Sequence, residues 1–162
     1  MDATVNRAHQ HAAGARRGEE VALGRSVGGF STKVHMLADA HGNPLEFSVT
    51  EGQQHDVKQA LSLAKKTQAP LLLADKGYDS QPFRDALLEL GVTAVIPRRE
   101  NSDKPNPGFD SHLYKDRHTV ENLFARLKQC RAFATRYDKL KRNYEAVVFI
   151  TCFLIWINLL VN

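Results

Sequence analysis

Pro70-Leu-Leu-Leu-Ala-Asp75 shows no polar alternation, only an apolar run that ends in a carboxylate. A strand covered on both faces reads this way, because neither row of side chains meets water. In open α/β sheets ligands gather beyond the carboxyl ends of such strands, and Lys76-Gly77-Tyr78 turns the chain sharply there. Asp75 is therefore a candidate for chemistry, although a turn-forming Asp after a strand explains it as well.

Working outward, Ser80 opens a helix with Pro82 near its first turn, Phe83, Leu87 and Leu90 on its apolar face, and Gly91 as its stop. Thr93 to Ile96 reads as a second buried strand. Upstream, Val34, Met36 and Ala38 alternate with Lys33 and His35, Asp39 to Pro44 is a turn, and Leu45, Phe47 and Val49 alternate with Glu46, Ser48 and Thr50. This predicts an antiparallel hairpin with one wet face. Asp56 is placed to cap a helix whose stripe is Val57, Ala60, Leu61 and Ala64. Asp2 to Ala8 reads as the end of a strand, and the Gly-, Arg- and Ala-rich His9 to Gly29 as a long mobile loop whose two histidines are solvated. The element order implies an α/β fold, a mixed sheet flanked by helices, in a single domain over residues 1–162.

A chain of 162 residues can bury a core without disulfides, and its two cysteines, Cys130 and Cys152, suggest neither a zinc site nor a disulfide framework. A reducing cytoplasm fits best. The formal charge is +4, but nine Lys/Arg against four acids fall between Ser111 and Glu145. Such a cationic segment suits a polyanion, since phosphate neutralisation supplies most nucleic-acid affinity. No apolar secretory segment opens the sequence. The sixteen residues Ala146 to Val161, interrupted by Thr151 and Asn158, are short for a span of roughly 20. They are expected to form a buried terminal helix that includes Trp156, with no membrane as partner.

Within the basic segment lies Tyr114 to Lys128, YKDRHTVENLFARLK. Read as a helix, it puts Tyr114, Arg117, Glu121, Ala125 and Lys128 on one face and Leu123, Phe124 and Leu127 on another. A surface helix with i,i+4 ion pairs has the same pattern. The spacing Y-x2-R-x3-E-x6-K, however, resembles the signature of DDE transposases of bacterial insertion sequences, of the related insertion sequence four and five groups. DATVNRAHQHAAG (Asp2 to Gly14), GRSVGGFSTKVHMLAD (Gly24 to Asp39), LADKGYDS (Leu73 to Ser80) and TRYDK (Thr135 to Lys139) extend the resemblance over nearly the whole chain.

That resemblance implies an RNase H-like fold in which Asp2, Asp75 and Glu121 are the catalytic acids and hold two Mg²⁺ ions, with Mn²⁺ as substitute. Carboxylates are hard oxygen ligands, and two divalent ions suit in-line attack on a phosphodiester. DNA strand cleavage and transfer would follow, on insertion-sequence ends and target DNA, by a homo-oligomer in the bacterial cytoplasm associated with the nucleoid. Arg117 and Lys128 would bind phosphates of the scissile strand, Arg as a bidentate fork and Lys as a point charge, and Tyr114 would add a hydrogen bond. The family pattern places a whole strand before its first Asp and a helical DNA-binding region before that. The first strand is thus expected to be truncated, and the polypeptide to be a frameshift product or a decayed remnant with weak activity alone. The alternative is a noncatalytic DNA-binding or interaction fragment that regulates transposition.

Overall fold

The computed structural model describes residues 1–16, 18–26, 28–107 and 109–161. The strands are β1 (Asp2–Ala8), β2 (Gly24–Ser26), β3 (Gly29–Ala38), β4 (Pro44–Glu51), β5 (Leu71–Leu73), β6 (Thr93–Val95) and β7 (Thr135–Arg136). The helices are α1 (Val57–Ala64), α2 (Gln81–Glu89), α3 (Ser111–Lys115), α4 (His118–Lys128), α5 (Arg131–Ala134) and α6 (Lys141–Val161).

Strand β3 organises the larger sheet, pairing antiparallel with β1, β2 and β4, while β1 runs parallel to β7. The parallel pair β5–β6 forms a second, two-stranded sheet. The expected mixed sheet flanked by helices is present, divided in two. Where the halves meet, the Met1 ammonium donates to Leu73 O at 2.7 Å, and burial pulls that amine down to about 6.

Two cores cover the faces of the larger sheet. On one, Val34, Met36 and Val49 pack against Val120, Leu123, Phe124 and Leu127 of α4 and Tyr144 and Val148 of α6. On the other, Leu37 packs with Ala60 and Leu63 of α1, Leu72, and Phe83 and Leu87 of α2. The hairpin therefore lacks the expected wet face at its centre: Val34, His35, Met36 and Leu37 are all buried. His35 is a polar residue on the α1 side, and a pattern based on polarity counts it as wet.

Four other elements differ from expectation. Between His9 and Gly29, where the sequence predicts a loop, the chain forms a 3-10 turn at Gln10–Ala12 and strand β2. The Tyr114–Lys128 segment is two helices, broken at Asp116 and Arg117. The Asp56 carboxylate does not cap α1; Lys33 Nζ takes it at 2.8 Å. Helix α6 buries Tyr144, Val148, Thr151 and Cys152 but exposes Phe149, Ile150, Phe153, Leu154, Leu159 and Leu160. It is long and apolar enough to cross a membrane by length and composition. The expected burial holds for one face of its first half, and Trp156 is 37% exposed with its indole N–H on Pro44 O at 2.8 Å.

The β3–β4 turn seats α4. Asp39 Oδ1 accepts from the amides of His41 and Asn43 at 2.9 and 2.8 Å, and Arg126 of α4 donates to Gly42 O. Gly42 has φ +77°, and a Cβ there would stand 3.0 Å from Thr119 O at the start of α4. Both conditions call for glycine.

Gly42→Ala is therefore expected to cost about 1–3 kcal/mol, read as a lower urea midpoint with unchanged slope. A second expectation concerns His35, which is 0% exposed and whose imidazole burial holds down to about 4. An unfolded chain takes up that proton near 6.5, so between 6.5 and 4 the unfolded state binds more protons and stability falls as the pH falls. His35→Gln, which can still meet Thr50, should flatten that decline in urea midpoints taken from pH 7 to pH 4.

Candidate active site

Asp2 stands directly opposite Met36 in the β1–β3 ladder, so its side chain shares the face on which Met36 meets α4. One carboxylate oxygen accepts from the Ala3 amide at 2.8 Å; the other accepts from Arg117 Nη1 at 2.9 Å. Burial raises the Asp2 carboxyl above its usual range, with the charge of Asp75 adding to the rise and Arg117 opposing it.

Arg117 owes its position to the break between α3 and α4. Standing at the N-terminal boundary of α4, it reaches back to β1 with one nitrogen and forward with the other, Nη2, to Glu121 Oε1 at 2.5 Å. Its guanidinium also lies over the Tyr114 ring, 5.7 Å from the centroid. Glu121 is in the first turn of α4, where the helix dipole favours an anion. The buried stripe of Val120, Leu123, Phe124 and Leu127 fixes the rotation of α4 and leaves Glu121 at the margin beside Asp2.

Asp75 follows β5 and opens a 3-10 turn over Lys76–Tyr78, with Oδ1 accepting from the Gly77 amide at 2.9 Å. Its charge acts on Asp2, on the Met1 amine and on the Tyr78 hydroxyl, so it belongs to the same electrostatic neighbourhood. Gly77 is confined between acids: a Cβ there would be 2.9 Å from Asp75 Oδ1 and 3.5 Å from Asp56 Oδ2.

The structure thus joins Asp2 and Glu121 through Arg117 and sets Asp75 within range of Asp2. Among the described residues no group of three His, Cys, Asp or Glu side chains is disposed to hold a metal ion as it stands. A guanidinium bridges the Asp2–Glu121 pair instead. Tyr114 joins through its ring rather than its hydroxyl. Lys128, exposed in the last turn of α4, lies seven residues from Glu121, about 10 Å along the axis, and is not brought to the acids.

The basic segment proves heterogeneous. Arg136 is 0% exposed and donates to the carbonyls of Val21, Ala22, Asp138 and Lys139 and to Thr32 Oγ1. Lys141 pairs with Glu20 at 2.6 Å. Lys115, Arg126, Lys128, Arg131, Lys139 and Arg142 remain exposed. Arg98 and Arg99, in the loop after β6, are bound to Asp79 and to the carbonyls of Lys76, Gly77 and Pro105.

Sequence reasoning missed the group behind Gly77. Lys33 Nζ is 2.8 Å and His35 Nδ1 3.8 Å from Asp56 Oδ1, and among the described residues the buried Tyr78 hydroxyl and His35 Nδ1 have no hydrogen-bond partner. The glycine of Lys76-Gly77-Tyr78 was the available signal, because a turn glycine hemmed in by carboxylates marks a close approach.

Compared with known proteins, residues 1–156 match the family model described as transposase DDE domain. The chain is 33% identical over 129 residues to a putative transposase for insertion sequence element IS6501 from Brucella ovis, covering 78% of this chain and 98% of that protein. It is 31% identical over 141 residues to a putative transposase for insertion sequence element IS402 from Burkholderia cepacia, covering 80% of this chain and 64% of the relative. No solved structure matches significantly.

Proposed function

The chain belongs to the transposase DDE-domain family of insertion sequences, whose domain is RNase H-like, and from that membership we propose that it is a catalytic domain for DNA strand cleavage and strand transfer. The observation that carries the proposal is the sharing of Arg117 by Asp2 and Glu121, with Asp75 close enough to act on the Asp2 carboxyl. Acids from a strand start and a helix share one cation, and the acid beyond a strand end stands within electrostatic range of the first.

DDE transposases generally use divalent metal ions, and the donors here fit: three carboxylates are hard oxygen ligands of the kind Mg²⁺ or Mn²⁺ takes. Asp2, Asp75 and Glu121 would hold two such ions. Bound there, they would supply an activated water and charge neutralisation for phosphodiester cleavage. The chain's own residues do the rest. Arg117, displaced from its carboxylates, would present a two-pronged donor to a scissile-strand phosphate. Tyr114 would keep that guanidinium stacked as it turns, and Lys128 would meet a phosphate farther along the strand. The Ala3 amide, at 2.8 Å, orients Asp2 from its own strand. The partners are insertion-sequence ends and target DNA, engaged by an oligomer of this chain in the cytoplasm, at the nucleoid.

A noncatalytic DNA-binding role is the second reading. It is favoured by the exposed Lys115, Arg126, Lys128, Arg131, Lys139 and Arg142, six cations of the basic segment.

Mn²⁺ titration separates the two. Catalytic use predicts that Asp75→Ala and Glu121→Ala abolish binding while DNA affinity persists. It also predicts that Arg117→Gln tightens Mn²⁺ binding, because the competing guanidinium is gone, yet weakens DNA binding. Lys128→Ala should lower the salt dependence of DNA affinity by about one unit of slope. Unchanged Mn²⁺ binding in both acid variants would favour the noncatalytic role.

A further inference from the structure

Asp79 lies four residues beyond Asp75, its side chain only 5% exposed, and the site described above makes no use of it. It collects donors from three places. Oδ1 accepts from Arg84 Nε of α2 at 2.9 Å and from Arg98 Nη1 at 3.1 Å; Oδ2 accepts from the Arg99 amide at 3.0 Å. Burial works to raise this carboxyl, but the Arg99 amide and the two guanidinium groups outweigh it and hold it below the usual range.

The same contacts lead back to Asp75. With its backbone held by Asp79, Arg99 donates through Nε to Lys76 O at 3.3 Å and through Nη2 to Gly77 O at 3.0 Å. These two carbonyls belong to the 3-10 turn whose Gly77 amide orients the Asp75 carboxylate at 2.9 Å. From the other side Arg84 Nη2 donates to Ile96 O at 2.7 Å, tying the end of β6 to the same carboxylate. Asp79 thus fastens the carboxyl ends of both parallel strands around one turn.

We propose that Asp79 is a positioning residue for Asp75, setting the Lys76–Tyr78 turn through Arg99 so that the Asp75 carboxylate is held ready to share a metal with Asp2 and Glu121. The inference rests on the reading of Asp75 as a metal ligand. Simple stabilisation of the small sheet would also explain the contacts, but the two roles differ in where their loss is felt. Asp79→Asn keeps the shape and removes the charge, leaving Arg84 and Arg98, 11% and 18% exposed, without their anion. The loosening then falls on the turn.

The experiment is amide hydrogen exchange by NMR on the full chain, with Mn²⁺ titration of the same samples. In Asp79→Asn, Gly77 amide exchange should rise roughly tenfold relative to amides of the β1–β3 ladder, and Mn²⁺ affinity should fall about tenfold, with partial recovery of both in Asp79→Glu. Glu100→Gln breaks the exposed Lys76–Glu100 pair beside the same turn and should change neither. Equal acceleration of exchange in both sheets, or a local rise with Mn²⁺ affinity unchanged where wild-type binding depends on Asp75, would overturn the proposal. If wild-type Mn²⁺ binding does not depend on Asp75, the reading of the site fails instead. The Gly77 exchange alone then decides whether Asp79 sets this turn.

Discussion

Two carboxylates cannot be held side by side, partly out of water, unless something positive stands between them. Asp2 and Glu121 meet that condition through Arg117, whose two terminal nitrogens serve one acid each. The requirement reaches into the backbone. A continuous helix from Tyr114 would carry Arg117 along its side; the break after α3 places it at the boundary of α4, where it can bridge a helix and a strand. Burial raises the Asp2 carboxyl and the charge of Asp75 adds to the rise, so ionising the group is costly where only one guanidinium faces the acids. An acid cluster short of cations is the electrostatic preparation that divalent ions require.

The scaffold that presents Asp2 is polar where a strand core is usually apolar. On the inner face of β1, Thr4 and Asn6 are buried. Asn6 Nδ2 donates to Phe133 O at 2.8 Å and to the Tyr144 hydroxyl at 2.7 Å, and that hydroxyl donates to Phe133 O at 2.7 Å. The Asn6 amide nitrogen is bonded, which gives the side chain direction, while its Oδ1 has no hydrogen-bond partner among the described residues. Strand β1 is thereby locked in register against α5 and α6, which an apolar side chain, indifferent to sliding, would not do.

Much of this was legible in the sequence. Strand β1, the β3–β4 hairpin, α1 and α2 each have enough residues to display a period, and all are present; β5 and β6, three residues each, were legible as short apolar runs and are present, with only Leu72 and Val95 of them buried. Helix α5 and strand β7, four and two residues long, have too few. The outer face of α6 could not be read either, since an apolar composition says that a surface is apolar and not what lies against it. Within the site, the approach of Glu121 to Arg117 follows from helical spacing, whereas the arrival of Asp2 from 115 residues away was available only through the family likeness of the Asp2 to Gly14 stretch. The fates of Arg98, Arg99 and Arg136 were hidden for a related reason. Their partners are mostly backbone carbonyls, which every residue possesses and no sequence pattern marks.

Arg117 and Arg136 show what separates a cation able to exchange partners from a structural one inside the same basic segment. Arg136 is sealed beneath Tyr144 with four carbonyls and a hydroxyl, all neutral and none able to accept a substitute donor without opening the core. Moving it would leave those acceptors unsatisfied at a cost of about 1–3 kcal/mol each, so it stays. Arg117 is 19% exposed and its acceptors are carboxylates, which a divalent ion can satisfy in its place. Its release leaves no orphaned group, provided a metal arrives, and a phosphate oxygen offers the freed guanidinium the same two-pronged bond it gives up. Charge alone puts both arginines on a DNA-binding list. The identity of their acceptors keeps one there and removes the other.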